Sequence, residues 1–548
     1  MRGLATRGLG VVMAVVLVAA LVAAPAARAE VEADGFVTET VKVPTRANEL
    51  LHGQLAFPTR GGVKLPGPFP VVLEYTPYCN PNAQSLWTSH GYVYAGVHVP
   101  GACGSDGRFT VFEPAVGRAG YDVVEWLAAQ PWATGKVGMV GASAPGIAQL
   151  HTARERPPHL TTIVPSIASL DFYEDLAYPG GILSSADPPV IAGIIIGLMM
   201  VPGIGYRFQD GDSARRMAET DEWVPDDFFV QALSRPLKDE FWTVRDVDPA
   251  SIDVPVFALG NWDDFAPRTA TRLFTDTSHP SNRLAIGGVG HNGTPLPDYD
   301  GDAETVQWMD HWLKGADNGM AEKIASAPIE YYGLGGGGWR TATAWPPSNE
   351  VVTLQMGPGA AVLGADGALV DGPVTTGSLQ YAHVPAASTS VTHIGFGPFH
   401  GDQRTTAVAL TYASEPLADA REVTGAATVK LRAATNAADT DWIVRLVDIA
   451  PDGTFESTDK RYGDWRFATN GQLRASHRAG HDHLEPVPAG QPVEYTITLR
   501  PVSYLFKPGH RIGLQITSAD PTRSVPLPYP ALNTVFHGSS LTLPLGPG

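Results

Sequence analysis

Polar and apolar positions alternate through residues 36–58 (FVTETVKVPTRANELLHGQLAFP), a stretch with many β-branched side chains. That period of two predicts paired strands. Two continuous apolar runs follow, 70–75 (PVVLEY) and 92–99 (YVYAGVHV). Short runs of this kind, bounded by Gly and Pro, predict strands buried on both faces. Residues 119–130 (AGYDVVEWLAAQ) predict a helix opening at Ala119-Gly120-Tyr121-Asp122. A strand at 137–140, a sharp turn at 141–143 and a helix from Ala144 come next. Alternating strands and helices of this kind belong to a doubly wound, mostly parallel α/β sheet.

The rhythm breaks at 152–250, which is rich in Pro, Asp, Trp and Phe and contains one strongly apolar piece, 190–201 (VIAGIIIGLMMV). That piece is shorter than the ~20 residues of a membrane span and lies between Pro188-Pro189 and Pro202-Gly203, so it predicts a buried helix in a cap over the sheet. The α/β pattern resumes at 254–259 and 283–286 and closes with a helix near 304–313. Helical periodicity ends at about 325. Apolar segments at 351–355, 427–431, 442–446, 493–499 and 511–516 are then spaced by Gly, Pro and Asp, which predicts an all-β sandwich. The glycines at 335–338 read as a flexible turn ahead of it.

A chain of 548 residues agrees with this multidomain reading, at about 150 residues per domain. Lys+Arg 38 against Asp+Glu 56 gives a net charge of −18, which repels phosphate backbones and argues against nucleic-acid binding. Two cysteines rule out a disulfide-dense scaffold and a Cys-based zinc site. At the N-terminus, Arg2 and Arg7 precede an apolar run at 11–24, followed by Ala27-Arg28-Ala29. This is the pattern of a secretory signal peptide cleaved near Ala29. Without a lipobox cysteine, a secreted protein with no stable membrane anchor is expected.

Gly141-Ala142-Ser143-Ala144-Pro145-Gly146 lies between a buried strand and a helix. A serine on such a turn is pushed out of the sheet edge, and the helix N-terminus behind it favours developing negative charge. A nucleophilic serine needs a base and an orienting acid, which in this type of fold follow in the order Ser, Asp, His. Gly260-Asn261-Trp262-Asp263-Asp264-Phe265 ends one predicted strand, and Gly290-His291-Asn292 follows another. Ser143, His291 and Asp263 are therefore the candidate nucleophile, base and acid, with Asp264 as the alternative acid. The Ala144 amide and the Tyr78 hydroxyl are candidate oxyanion donors.

These motifs resemble the CocE/NonD hydrolases, the group that includes cocaine esterase, α-amino-acid ester hydrolases and Xaa-Pro dipeptidyl peptidases. The resemblance rests on Thr76-Pro77-Tyr78, on Trp126-Leu127-Ala128-Ala129-Gln130-Pro131-Trp132, on the serine turn, on Gly260-x-Trp262-Asp263 and on Gly290-His291. In the sandwich it rests on Gly338-Trp339-Arg340, Trp345-Pro346-Pro347 and Phe506-Lys507-Pro508-Gly509-His510-Arg511. It implies an α/β-hydrolase fold with a helical cap and a C-terminal jelly-roll, and it favours Asp263, because G-x-W-D is a form the family's acid takes. The expected division is a signal peptide at 1–29, hydrolase segments at 30–151 and 251–324, a cap at 152–250 and a jelly-roll at 325–548.

The sequence departs from the family where Ala144 stands in place of the usual Tyr, and where the loop from Pro100 lacks the usual Arg-Gly start. The amino-acid ester hydrolases also carry carboxylates just after the acid, to hold a substrate ammonium; here Phe265 and Ala266 stand there. A cap carboxylate such as Asp171, Glu174 or Asp175 is the available substitute. Cys79 and Cys103 follow strands expected to be neighbours, so secretion makes a disulfide between them plausible. His477 and His481-Asp482-His483 read as a solvated loop rather than a metal site. The expected activity is cleavage of carboxylic esters through an acyl-enzyme, with no metal or cofactor. A dipeptidyl peptidase or amidase acting on short peptides is the alternative, and an inert glycan-binding protein is a more distant one.

Overall fold

In the computed structural model, residues 33–79, 83–184, 228–262, 264, 266–288, 299–359, 365–385, 408–456, 468–520 and 524–547 are described. The predicted signal peptide, the apolar piece at 190–201, Asp263, Phe265 and His291 lie outside them.

The first sheet contains β1 (Gly35–Pro44), β2 (Leu50–Arg60), β3 (Val63–Lys64), β4 (Phe69–Thr76), β5 (Val93–His98), β6 (Ala133–Ala142), β7 (Leu160–Ser166), β8 (Phe257–Gly260), β9 (Arg283–Ile286), β10 (Ile329–Gly333) and β11 (Gly338–Ala342). Its order is β1-β2-β5-β4-β6-β7-β8-β9-β10-β11, with β3 paired to β2. The run from β5 to β10 is parallel, and antiparallel strands flank it at both ends. The continuous apolar runs form its middle: Val71, Val72, Leu73, Val93 and Val97 are fully buried, each contributing roughly 1.5–3 kcal/mol relative to an exposed position.

Helix α1 (Pro114–Ala128) starts five residues before the predicted point, because Pro114 at its first turn supplies a preset φ. It packs on α2 (Ala144–Ala153) through glycines. A Cβ on Gly117 would lie 2.3 Å from the His151 carbonyl, and one on Gly120 would lie 2.1 Å from the Thr152 hydroxyl. Helices α3 (Pro267–Thr275) and α4 (Gly301–Met309) follow β8 and β9.

The strand pair at 36–58 forms as predicted; most of β1 is exposed, and it is an edge strand paired only with β2. Two expectations need correction. The first sheet does not end near 325, because β10 and β11 still belong to it. The glycines at 335–338 make a tight hairpin inside that sheet. A Cβ on Gly335 (φ +70°) would lie 2.5 Å from the Leu505 carbonyl.

The C-terminal unit is β-rich. Among the described residues it holds a second eleven-stranded sheet starting at Val351–Gly357, and a separate pair, Arg421–Gly425 with Val502–Phe506. Trp442, Val429, Leu431, Leu514 and Ile516 are fully buried in its interior. It is tied to the rest of the chain at several points. The Leu334 N–H donates to Ser503 (2.9 Å), the Gln472 amide to Pro179 (2.8 Å), the Lys238 N–H to His481 (2.8 Å) and the Val525 N–H to Leu183 (2.9 Å). The histidine loop is accordingly not wholly solvated, for His477 is buried and His481 packs on Tyr173 with ring centroids 5.4 Å apart.

Candidate active site

Strand β6 delivers Ser143 to the carboxyl edge of the sheet, where it precedes α2 with φ 63° and ψ −123°. A non-glycine residue held at positive φ stores about 1–3 kcal/mol and needs surroundings that enforce it. Those surroundings are visible. The Ser143 N–H donates to Ser166 and its carbonyl accepts from Ile147, both at 2.9 Å. A Cβ on Gly141 would lie 2.4 Å from Pro145, and one on Gly146 would lie 2.7 Å from the Ser166 carbonyl, so only glycine fits at either place.

Tyr78 arrives from the end of β4. Its hydroxyl is hydrogen-bonded to the Ser143 side chain and accepts the Ala144 N–H; burial raises the phenol above its ordinary pKa, and these two hydrogen bonds partly offset that. The candidate nucleophile, the helix N-terminus and the phenol therefore converge on one point. The loop carrying Tyr78 is braced by the Cys79–Cys103 disulfide, with Cα atoms 5.2 Å apart, and by the Tyr78 N–H donating to the Thr76 hydroxyl at 3.0 Å. It is braced also by His98 at the end of β5, which hydrogen-bonds to the Thr76 and Tyr78 backbone and stacks on His52 with centroids 5.5 Å apart. Burial lowers the His98 pKa to about 4, so the imidazole is neutral at physiological pH.

If Tyr78 stabilises an oxyanion, Tyr78→Phe lowers kcat by about 10²–10³-fold with little change in KM. Steady-state hydrolysis of p-nitrophenyl butyrate measures this, and a rate within threefold of wild type removes Tyr78 from that role.

Strands β8 and β9 run parallel beside β7 and end at the same sheet edge. Asp263 follows β8 and His291 follows β9, but both lie outside the described residues. Around the first of them, Trp262 donates its indole N–H to the Tyr332 carbonyl (2.7 Å) and stacks on Trp345 with centroids 5.7 Å apart. Asp264 is buried, and its main-chain carbonyl accepts from the Arg500 guanidinium at 3.1 Å.

A profile of the X-Pro dipeptidyl-peptidase (S15 family) matches residues 50–293, and one of the X-Pro dipeptidyl-peptidase C-terminal non-catalytic domain matches residues 323–541. The cocaine esterase of a Rhodococcus species is 26% identical over 542 residues, covering 84% of this chain and 90% of its own. A CocE/NonD family hydrolase from Staphylococcus aureus shares the fold, with a TM-score of 0.73 at 19% identity, over 93% of this chain and 94% of its own. The chain belongs to the CocE/NonD serine hydrolases. A Mycobacterium bovis protein provisionally named a serine esterase is also similar, 26% identical over 550 residues and covering 84% of each chain.

In this CocE/NonD hydrolase, the three cap carboxylates considered as ammonium anchors already have partners. Asp171 pairs with Lys238 (2.6 Å), which also reaches Asp246 (2.8 Å). Asp175 takes Arg268 (2.8 Å) and the hydroxyls of Ser169 and Thr269 (2.9 Å each). Glu174 meets Arg268 (3.6 Å), His481 (3.2 Å) and the Gly180 N–H (3.1 Å). Arg268 was missed in the sequence. Its signal was weak, a lone cation two residues past Ala266, and its importance depends on the cap folding over it.

Proposed function

We propose that this hydrolase cleaves carboxylic esters, and that Ser143, His291 and Asp263 form its triad. The observation that carries this reading is the convergence of the Ser143 side chain, the Ala144 N–H and the Tyr78 hydroxyl at the carboxyl edge of the sheet. Ser143 attacks the carbonyl as His291 takes its proton, and Asp263 holds the imidazole tautomer and offsets the imidazolium charge. Ala144 and Tyr78 donate to the tetrahedral oxyanion. The alcohol leaves with the proton from His291, and water, deprotonated by the same imidazole, cleaves the acyl-enzyme.

Preference for an ester over a peptide with a free N-terminus follows from the charges. An ammonium brought beneath the cap needs a counter-charge. Phe265 and Ala266 supply none, and Asp171, Glu174 and Asp175 are each engaged by Lys238, Arg268 or His481. The peptidase reading draws its support from the family description of the matching profiles. We also read the C-terminal unit as a jelly-roll and the protein as exported, a reading that the Cys79–Cys103 bond supports.

The deciding experiment compares p-nitrophenyl acetate and butyrate with glycyl-prolyl-p-nitroanilide, on enzyme taken from culture medium and from cells. We expect kcat/KM to favour the esters by at least about 100-fold, the scale of a charged group left without its partner. Efficient release from the dipeptide would establish the peptidase instead, and activity confined to the cells would overturn export.

A further inference from the structure

We propose that the Cys79–Cys103 disulfide positions the Tyr78 hydroxyl beside Ser143, and that the enzyme works at full rate only while this bond is closed. The inference rests on the ester-hydrolase reading above, in which Tyr78 donates to the oxyanion. It makes the oxidation state of two cysteines a condition of catalysis.

Tyr78 and Cys79 lie beyond the last residue of β4, Thr76, on irregular chain. The phenol must nevertheless stay within hydrogen-bond reach of both the Ser143 side chain and the Ala144 N–H. Its main chain is held on the β4 side, where the Tyr78 N–H donates to the Thr76 hydroxyl (3.0 Å) and His98 bonds to the Thr76 and Tyr78 backbone. On the other side the hold is the disulfide at the very next residue, Cys79.

What lies across that bond is rigid. Cys103 is buried in the loop that follows β5, with φ 47°, a conformation that persists where neighbours enforce it. Within the loop, the Gly101 N–H donates to the Asp106 carbonyl and the Ser105 N–H to the Ala102 carbonyl, both at 2.9 Å. A Cβ on Gly101 would lie 2.0 Å from the Phe109 nitrogen, so this close approach admits glycine alone. The loop is in turn anchored to β2: the Leu50 N–H donates to the Asp106 carboxylate and the His52 N–H to the Ser105 hydroxyl, each at 2.9 Å. The Cys103 sulfur also packs 3.4 Å from the Pro77 carbonyl. A covalent bond from the neighbour of Tyr78 to this anchor limits any swing that would carry the phenol away from Ser143. A displacement of about 1 Å in catalytic geometry costs about 10²-fold. Closing the bond passes two electrons and two protons from the cysteine thiols to an external disulfide, which leaves as two thiols. The enzyme is thereby slow among thiol reductants and fast where disulfides persist.

The test compares wild type, the double variant Cys79→Ser with Cys103→Ser, Tyr78→Phe and the triple variant. Hydrolysis of p-nitrophenyl butyrate and thermal unfolding are followed with and without a water-soluble trialkylphosphine. The phosphine and one water split the disulfide into two thiols and leave the phosphine oxide, so no thiol is added that could attack the ester. We expect the opened wild type and the double variant to lose about 10- to 100-fold in kcat with KM within about twofold, no more than removal of the Tyr78 hydroxyl itself costs. Reoxidation restores the wild type, and the phosphine leaves the double variant unchanged. In the Tyr78→Phe background, which has no hydroxyl left to misplace, opening the bond costs less than about threefold. A brace with a structural role alone would cost the same factor in both backgrounds. That result overturns the proposal, as does an opened wild type within threefold of the closed form. If the cysteine variants do not fold, phosphine-opened wild type and Tyr78→Phe decide by the same criteria. If Tyr78→Phe with its disulfide closed keeps the wild-type rate, the oxyanion reading has failed and takes the proposal with it. A full loss in Tyr78→Phe with no effect of opening the bond defeats the proposal alone.

Discussion

Replacing Ser143 with alanine is expected to lower kcat by about 10⁶-fold, the scale seen when the serine of such a triad is removed, and to abolish labelling by a fluorophosphonate. The protein should still fold. Alanine is no larger than serine, and the backbone hydrogen bonds from Ser143 to Ser166 and from Ile147 to Ser143 do not involve the hydroxyl. The unusual φ of 63° is imposed by the turn rather than by the side chain, so the strain is the same in both proteins. Ester hydrolysis, probe labelling and a thermal melt on one preparation separate loss of chemistry from loss of structure. If Ser143→Ala keeps activity within tenfold of wild type and still takes up the probe, the nucleophile lies elsewhere.

The second large effect is expected at Asp263. Asn in its place should lower kcat by about 10⁴-fold, because an amide can hold the imidazole in the wrong tautomer and carries no charge to offset the imidazolium. Asp264→Asn should stay within about tenfold. Of two adjacent side chains on a turn, only one can face the base. Asp264 is the one whose main chain is held by Arg500, and it is buried at the seam with the C-terminal unit. We expect it to contribute to the shape of the turn. The ratio of the two rates on p-nitrophenyl butyrate is the measurement, and the opposite order moves the acid by one residue.

The parts of this architecture set by short-range pattern were legible in the sequence. The apolar runs at 70–75 and 92–99 became the buried strands β4 and β5, and the small residues around Ser143 became the turn that their size requires. Strand β9 runs over residues 283–286, the bounds predicted from the sequence. The pairing of Cys79 with Cys103 was also within reach, since β4 and β5 are parallel neighbours. What escaped was decided by partners distant in the chain. Nothing local shows that 329–342 pairs with β9 rather than with the strands that follow, because both alternatives share the same period of two. The cap acids looked available until Lys238, Arg268 and His481 were folded against them. Arg500 is an ordinary surface-type residue in sequence, and only the docking of two units places it at the acid turn.

That docking bears on how such a protein can be rebuilt. The seam threads through Pro179, Leu183, Lys238, Asp264 and Leu334 on one side, and through Gln472, His481, Arg500, Ser503 and Val525 on the other. A chimaera that exchanges the C-terminal unit for that of a relative replaces half of every one of those contacts at once. The two halves are inherited as one object. A donor unit will work only when it brings a matching set of loops, and recombination points near residue 325 cut through a sheet rather than between modules.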